Sequence, residues 1–148
     1  MSASATSMDA DEIAEFLDTQ ETGVLSLAKA DDGYGVPVCF AFDDGAETGP
    51  EFYFRLGFAP GSTKRQYVDA SEDVSFVVHD DTAEGWKSVV ARGRLENVSS
   101  RTLDAIVAEA VQGLDIPYFA VHDSPVENLH FTLVRLDATD LTGVVEGR

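Results

Sequence analysis

Phe52 to Val78 reads FYFRLGFAPGSTKRQYVDASEDVSFVV, a run that passes from strand to loop to short helix to strand. Arg55 follows the first apolar residues, and Gly57, Pro60 and Gly61 break the chain before Ser62-Thr63-Lys64-Arg65 opens a helix. A Ser or Thr ahead of a helical run is an N-cap signature, and the turn it caps leaves backbone N–H groups facing outward with partial positive charge. With Arg55, Lys64 and Arg65 near that helix start, its natural occupant is a phosphate. The same three residues also read as surface charges answering Asp69 and the many other carboxylates. Spacing alone leaves both readings open.

The rest of the composition bounds the answer. A chain of 148 residues with 44% hydrophobic content is sized for one domain with its own core. Residues 1–8 read as a disordered tail and residues 9–148 as that domain. Asp and Glu number 27 against 10 Lys and Arg, for a formal net charge of -17, and the lysines are Lys29, Lys64 and Lys87 alone. Acid-rich, lysine-poor surfaces suit concentrated salt, where the Debye length falls to about 3 Å at 1 M and self-repulsion is screened. A protein of a salt-loving organism is therefore expected, the plainer alternative being an acidic mesophilic one. Either way the surface repels a phosphate backbone, so nucleic acid is not an expected partner. Cys39 is the single cysteine, which excludes an internal disulfide. No apolar leader opens MSASATSMDADE and no stretch reaches spanning length, so neither secretion nor a membrane is expected and the location reads as cytoplasmic.

In chain order, Ser7 or Asp9 caps a first helix, with Glu12 completing a capping box and Ile13, Phe16 and Leu17 on one face. Thr22–Ala28 alternates as a half-buried strand, Asp31-Asp32-Gly33 reads as a hairpin turn, and Val36–Phe42 returns, with Pro37 at an edge or bulge. After the opening stretch, Trp86–Val98 forms a long strand in which Gly93 marks a bend or bulge. Ser99 or Ser100 caps a helix with Leu103, Ile106, Val107, Ala110 and Val111 at helical spacing. Two strands, Leu129–Leu136 and Leu141–Val145, close the chain around Asp137-Ala138-Thr139-Asp140. About seven strands and three helices on tight early turns predict a mainly β fold: an antiparallel barrel with peripheral helices.

VPVCFAF, then FYFR, then the loop with Ser62-Thr63-Lys64, then VSFVV, then KSVVARGRLE resemble, in that order, the flavin-binding split barrels related to pyridoxamine 5'-phosphate oxidase. The resemblance covers roughly residues 10 to 145, and its force lies in the conjunction of motifs. It implies a split β-barrel holding flavin mononucleotide. On this chain Lys64 and Arg55 correspond to phosphate ligands, joined by Ser62 and Thr63 and helped by Arg65. Val38, Cys39 and Phe54 correspond to the strands that pass the isoalloxazine, and Ser88 and Trp86 to its contacts on the long strand. Trp86 also fits a plain packing residue at the barrel rim. The family resemblance further implies a homodimer with the cofactor between subunits, and a small-molecule substrate or electron donor. The oxidase itself carries a C-terminal region rich in Trp, Arg and Pro, whereas this sequence ends at GVVEGR, so oxidation of pyridoxamine phosphate is not expected. Relatives of similar fold bind a deazaflavin or haem, which stay as alternatives.

A flavin brings its own redox chemistry, which suits a chain with no GxSxG elbow, P-loop or HExxH. His79 reads either as a proton donor beside a substrate or as a strand-end surface residue. His122 and His130, with Asp123 and Glu127 between them, match no standard metal spacing, and no metal is expected.

Overall fold

The computed structural model describes residues 5–44, 49–58, 63–70, 73–97 and 130–147. Their elements are β1 (Ala5–Ser7), α1 (Ala10–Asp18), β2 (Thr22–Lys29), β3 (Asp32–Asp43), β4 (Glu51–Phe58), α2 (Thr63–Ala70), β5 (Val74–Thr82), β6 (Gly85–Asn97) and β7 (His130–Glu146). Every strand pairing is antiparallel, in the order β1-β7-β4-β3-β2-β5-β6. β6 also pairs with β7, which closes β7, β4, β3, β2, β5 and β6 into a barrel and leaves β1 as an addition to β7. The mainly β architecture expected from the sequence is the one found.

The barrel is split between β3 and β4. Their ladder spans only Phe40–Asp43 against Glu51–Phe54. Beyond it β3 continues with β2, and β4 turns to β7. Pro37, which has no N–H to give a second neighbour, lies in the part of β3 that pairs with β2 alone.

Strand alternation builds the core. On β5, Val74, Phe76 and Val78 are buried, while Ser75 and Val77 are half-buried and His79 is exposed. Phe40, Phe52, Phe54 and Phe76 meet inside with ring centroids 4.8 to 5.8 Å apart, mostly tilted or edge-on. Burying each such side chain contributes about 1.5–3 kcal/mol. α1, nine residues long, is too short to persist alone. It docks through Ile13, Phe16 and Leu17, and the Asp9–Glu12 capping box read from the sequence is formed, the Glu12 N–H donating to Asp9 Oδ1 at 2.8 Å.

Three expectations are corrected. Ala5–Ser7, read as part of a disordered tail, pair with Val144–Glu146, and Met8 is buried with its N–H donating to the Gly143 carbonyl at 2.8 Å. A methionine beside an open strand edge supplies both an anchor and a ladder. The first hairpin turns at Ala30-Asp31, since Lys29 pairs with Asp32 and Gly33 lies within the ladder opposite Ala28. The inward phase of Val36, Val38 and Phe40 fixes that register, and Ala30 absorbs the turn with a φ of 55°. Finally, the closing pair of strands is one strand, β7, running unbroken through Asp137-Ala138-Thr139-Asp140. Arg92 pairs with Asp140 and Gly93 with Ala138, so Thr139 is the extra residue of a bulge, and its hydroxyl donates to the Arg92 carbonyl at 3.3 Å. The helix read after Ser100 and the group His122, Asp123 and Glu127 lie outside the described residues.

Gly93 makes this bulge possible. A Cβ there would stand 1.9 Å from the Asp137 carbonyl oxygen, whereas one at Gly33 would meet nothing within 4 Å. Gly93→Ala is therefore expected to cost about 3 kcal/mol or more and Gly33→Ala to change stability by less than about 0.5 kcal/mol. Denaturant unfolding in concentrated salt checks both; equal effects would refute the close approach.

Candidate functional site

Register assembles the outward residues into rows. Cys39 pairs with Thr22, and His79 pairs with Ser88. Continuing the β2–β5 register two residues beyond Val24↔Val77 brings Thr22 level with His79. Continuing β3–β4 one residue beyond Phe40↔Phe54 brings Arg55 level with Cys39 across the mouth of the split. Arg55, Cys39, Thr22, His79 and Ser88 thus occupy one row over five strands, about 19 Å along the outer surface at roughly 4.8 Å per strand. No carboxylate stands in that row.

At its β6 end an aromatic platform stands free. Trp86 is 42% exposed and stacks on His79, with ring centroids 5.0 Å apart and planes 27° apart. The stack forms because Trp86 and His79 are diagonal neighbours across the β5–β6 hairpin, His79 pairing with Ser88 and Trp86 with Asp81. The hairpin itself is tied by the Thr82 hydroxyl, which donates to the Gly85 carbonyl at 2.7 Å.

The residues singled out in the sequence divide by face. Ser88 and Trp86 lie outward on β6, as a ligand contact requires. Val38 and Phe54 point the other way: both belong to the barrel core, and Phe54 has 0% exposure. Phe54 packs edge-on against Phe76, so its side chain supports the barrel from within. Cys39 faces outward and is buried. Burial, and secondarily the Glu21 carboxylate, push its thiol pKa up, so it is a packing residue rather than a nucleophile. Thr63, Lys64 and Arg65 form the first turn of α2, and Arg55 belongs to β4; their side chains, and Ser62 altogether, lie outside the described residues. His79 as a stacking partner was not read from the sequence, although its equal distance from the hairpin turn as Ser88 was the available signal.

Two polar features lie elsewhere. A cleft of about 390 Å³ between α1 and the end of β3 is lined by Glu15, Asp18, Asp43, Asp44, Ala14 and Phe42. Four carboxylates make it unsuited to a phosphate. On the outer side of β4 the Tyr53 hydroxyl donates to Glu51 Oε2 at 2.5 Å, with both residues buried. Arg135, opposite Tyr53 on β7, forms an ion pair with Glu96. Burial first, and then the Glu51 carboxylate, drive the Tyr53 pKa well above the ordinary tyrosine range, with Arg135 opposing. No cluster of His, Cys, Asp and Glu suited to a metal ion occurs among the described residues, and none of their helices is long and apolar enough to cross a membrane.

Residues 9–145 match the family model described as pyridoxamine 5'-phosphate oxidase. No curated protein matches the chain. Among solved structures, a conserved protein of unknown function from Corynebacterium diphtheriae is 26% identical, with a TM-score of 0.69 over 96% of this chain and 98% of that one. The FAD-binding protein of Mycobacterium smegmatis is 23% identical, with a TM-score of 0.67 over 95% and 98% of the two chains. The haem storage protein HutZ of Vibrio cholerae is 14% identical, with a TM-score of 0.57 over 93% and 94%.

Two measurements check these local assignments. Tyr53→Phe removes the donor to Glu51 and is expected to cost about 1–3 kcal/mol at neutral pH. A raised folded-state pKa contributes stability that is whole below the ordinary tyrosine pKa near 10 and is lost as pH climbs beyond it. The wild-type and Tyr53→Phe stability curves should therefore converge above about pH 10; parallel curves would reject the hydrogen bond. Cys39 should resist an aromatic disulfide reagent at pH 8 until the protein is unfolded, and prompt labelling of the native fold would show the thiol to be accessible.

Proposed function

The chain belongs to the pyridoxamine 5'-phosphate oxidase family, and on that footing we propose that it binds flavin mononucleotide and uses it as an oxidoreductase toward a nicotinamide or small organic substrate. The observation that carries this reading is the carboxylate-free outer row from Arg55 to Ser88 with Trp86 exposed at its end. On a chain of net charge -17, an anionic cofactor needs a surface from which like charge is removed. The row supplies it, together with a hydroxyl at Ser88 and a flat aromatic platform. Sheet edge, hydroxyl and stacked rings suit a planar heterocycle with a polar rim.

Arg55 and Lys64 hold the phosphate in this reading, with Ser62 and Thr63 at the start of α2 and Arg65 beside them. Backbone groups of Val38 and Cys39 border the ring at the split, and Ser88 and Trp86 take it on β6. When bound, the flavin supplies hydride or electron transfer. The residues of this chain bind it, orient it and exclude water; Phe54, behind the wall, keeps β4 in place. The working protein is a homodimer, the second copy covering the cofactor. Non-catalytic binding of haem or a deazaflavin is the second reading, haem being favoured by the exposed imidazole of His79 within the row, a candidate iron ligand.

The visible spectrum after adding flavin mononucleotide and removing the excess tests the proposal. Flavin absorption with quenching of Trp86, the single tryptophan, is the expected result; a haem or deazaflavin spectrum transfers the site to the second reading. Lys64→Ala should weaken flavin mononucleotide binding roughly 10- to 100-fold with an unchanged far-ultraviolet circular dichroism spectrum, and unchanged affinity would remove Lys64 from the site. Steady oxidation of a reduced nicotinamide separates turnover from storage.

A further inference from the structure

Charge is unevenly placed around the end of the candidate row. Trp86 has a carboxylate directly opposite on each side, Asp81 pairing with it from β5 and Glu146 from β7. Cross-strand partners share a face, so the indole and both carboxylates stand on the outer side, with neighbouring Cβ atoms about 4.5–5.5 Å apart. His79 and Val144, which pair with Ser88, are the diagonal neighbours. The row through Ser88 and the next one, Pro37, Val24, Val77, Val90 and Thr142, carry no carboxylate. Within these three rows the acidic groups are confined to the one that holds Trp86.

No Lys or Arg stands in that row, which β1 extends with Ala5 beside Glu146. The first outward cation on β6 is Arg92, about 20 Å along the strand at 3.3 Å per residue. Lys87 lies on the opposite face and donates to Glu84 Oε2 at 3.1 Å. The setting is held in place from both sides. Gly85, with a φ of 127°, lets the end of β7 come against the hairpin, where a Cβ would stand 2.2 Å from the Glu146 carbonyl oxygen. The His79 ring supports the indole at 5.0 Å, and 42% of Trp86 remains exposed.

We propose that this end of the row is a subsite for a small organic cation, an alkylammonium or pyridinium group lodged on the indole between Asp81 and Glu146. The face of an aromatic ring attracts a cation through its quadrupole, Trp most strongly. Carboxylates on either side concentrate positive charge there and repel anions. The proposal rests on the oxidoreductase reading for what is done to the cation, though not for its binding. Of the substrates named in that reading, it selects a small molecule bearing an amine or pyridinium over a phosphate-bearing dinucleotide, whose negative charge the same carboxylates oppose. The row then has a direction: cofactor phosphate toward Arg55, and substrate cation beside Trp86, about 19 Å away at 4.8 Å per strand.

Titration of the full chain with tetramethylammonium chloride, before any flavin is added, tests this. KCl is exchanged to hold ionic strength, and the readout is the indole N–H resonance of Trp86, the single tryptophan. A saturable shift is expected, with tert-butanol, a neutral molecule of similar shape, binding at least about tenfold more weakly. Glu146→Gln and Asp81→Asn, with circular dichroism to confirm folding, should each weaken tetramethylammonium binding about threefold or more and leave tert-butanol unaffected. Absence of a saturable shift, equal binding of the two probes, or wild-type affinity in both variants overturns the proposal. Adding flavin mononucleotide and removing the excess separates the two readings. A protein that retains flavin yet shows no preference for the cation loses the subsite alone, and one that prefers the cation yet retains no flavin keeps the subsite and loses the flavin.

Discussion

Closure of the sheet along β6 and β7 is the constraint on which the other elements depend, because β7 carries two ladders at once. Its residues 130–137 pair with β4 and its residues 134–146 with β6. Four residues, Val134 to Asp137, are therefore held on both sides, and they fix the position of β4 relative to β6. The bulge at Thr139 lies just beyond this double hold, where the strand must bend away from β4 to follow β6 alone. Gly93 permits the approach of the two backbones at that corner. Without the bulge, the residues after Ala138 would fall out of phase and Leu141, Gly143 and Val145 would turn from the core to solvent. α1 depends on the same phase, since a Cβ at Gly143 would meet Ile13 at 2.8 Å and Met8 at 3.1 Å.

Charge imposes the second constraint, and it acts on the outside. With 27 acidic residues to place, carboxylates recur across the outward positions. The helix face of α1, the end of β3 and the tip of the β5–β6 hairpin follow that rule. The rows through Val24 and through Ser88 depart from it. Departure on two adjacent rows of one face is a local feature, and it coincides with the place where the barrel splits and backbone edges become available.

Inward alternation was legible in the sequence because burial enforces it residue by residue: Phe76 between Ser75 and Val77, or Ile13, Phe16 and Leu17 after a capping box, admit few alternatives. Breaks in the chain were less legible. Asp137-Ala138-Thr139-Asp140 has turn composition, yet Ala138 is buried opposite Gly93, and only the partner strand reveals that the residues form a bulge. Asp32-Gly33 has turn composition as well, yet the ladder passes through it. The N-terminal pairing of Ala5–Ser7 depended on a distant strand and had no local signal. For the site, Ser88 and Trp86 were named from the family resemblance, and the β5–β6 register puts both on the outer face. Val38 and Phe54 were read as ring contacts from motif order, which carries no information about which side of a strand a residue faces.

That last distinction bears on how one barrel can serve several cofactors. A strand's period of two makes its inward and outward sets independent. Here Phe40, Phe54, Phe76 and Val89 hold the barrel, while Val77 and Ser88, the immediate neighbours of Phe76 and Val89, meet whatever lies outside. Replacing an outward residue leaves the core volume untouched, so the chemistry of the row can change at little cost in stability. The FAD-binding and haem storage proteins that share this fold at 23% and 14% identity are what such independence allows. On the proposed reading, cofactor choice rests on that outward row and on Trp86 beside it: stacked on His79 the indole makes a flat polar platform, whereas an imidazole turned away from it would offer a nitrogen to iron.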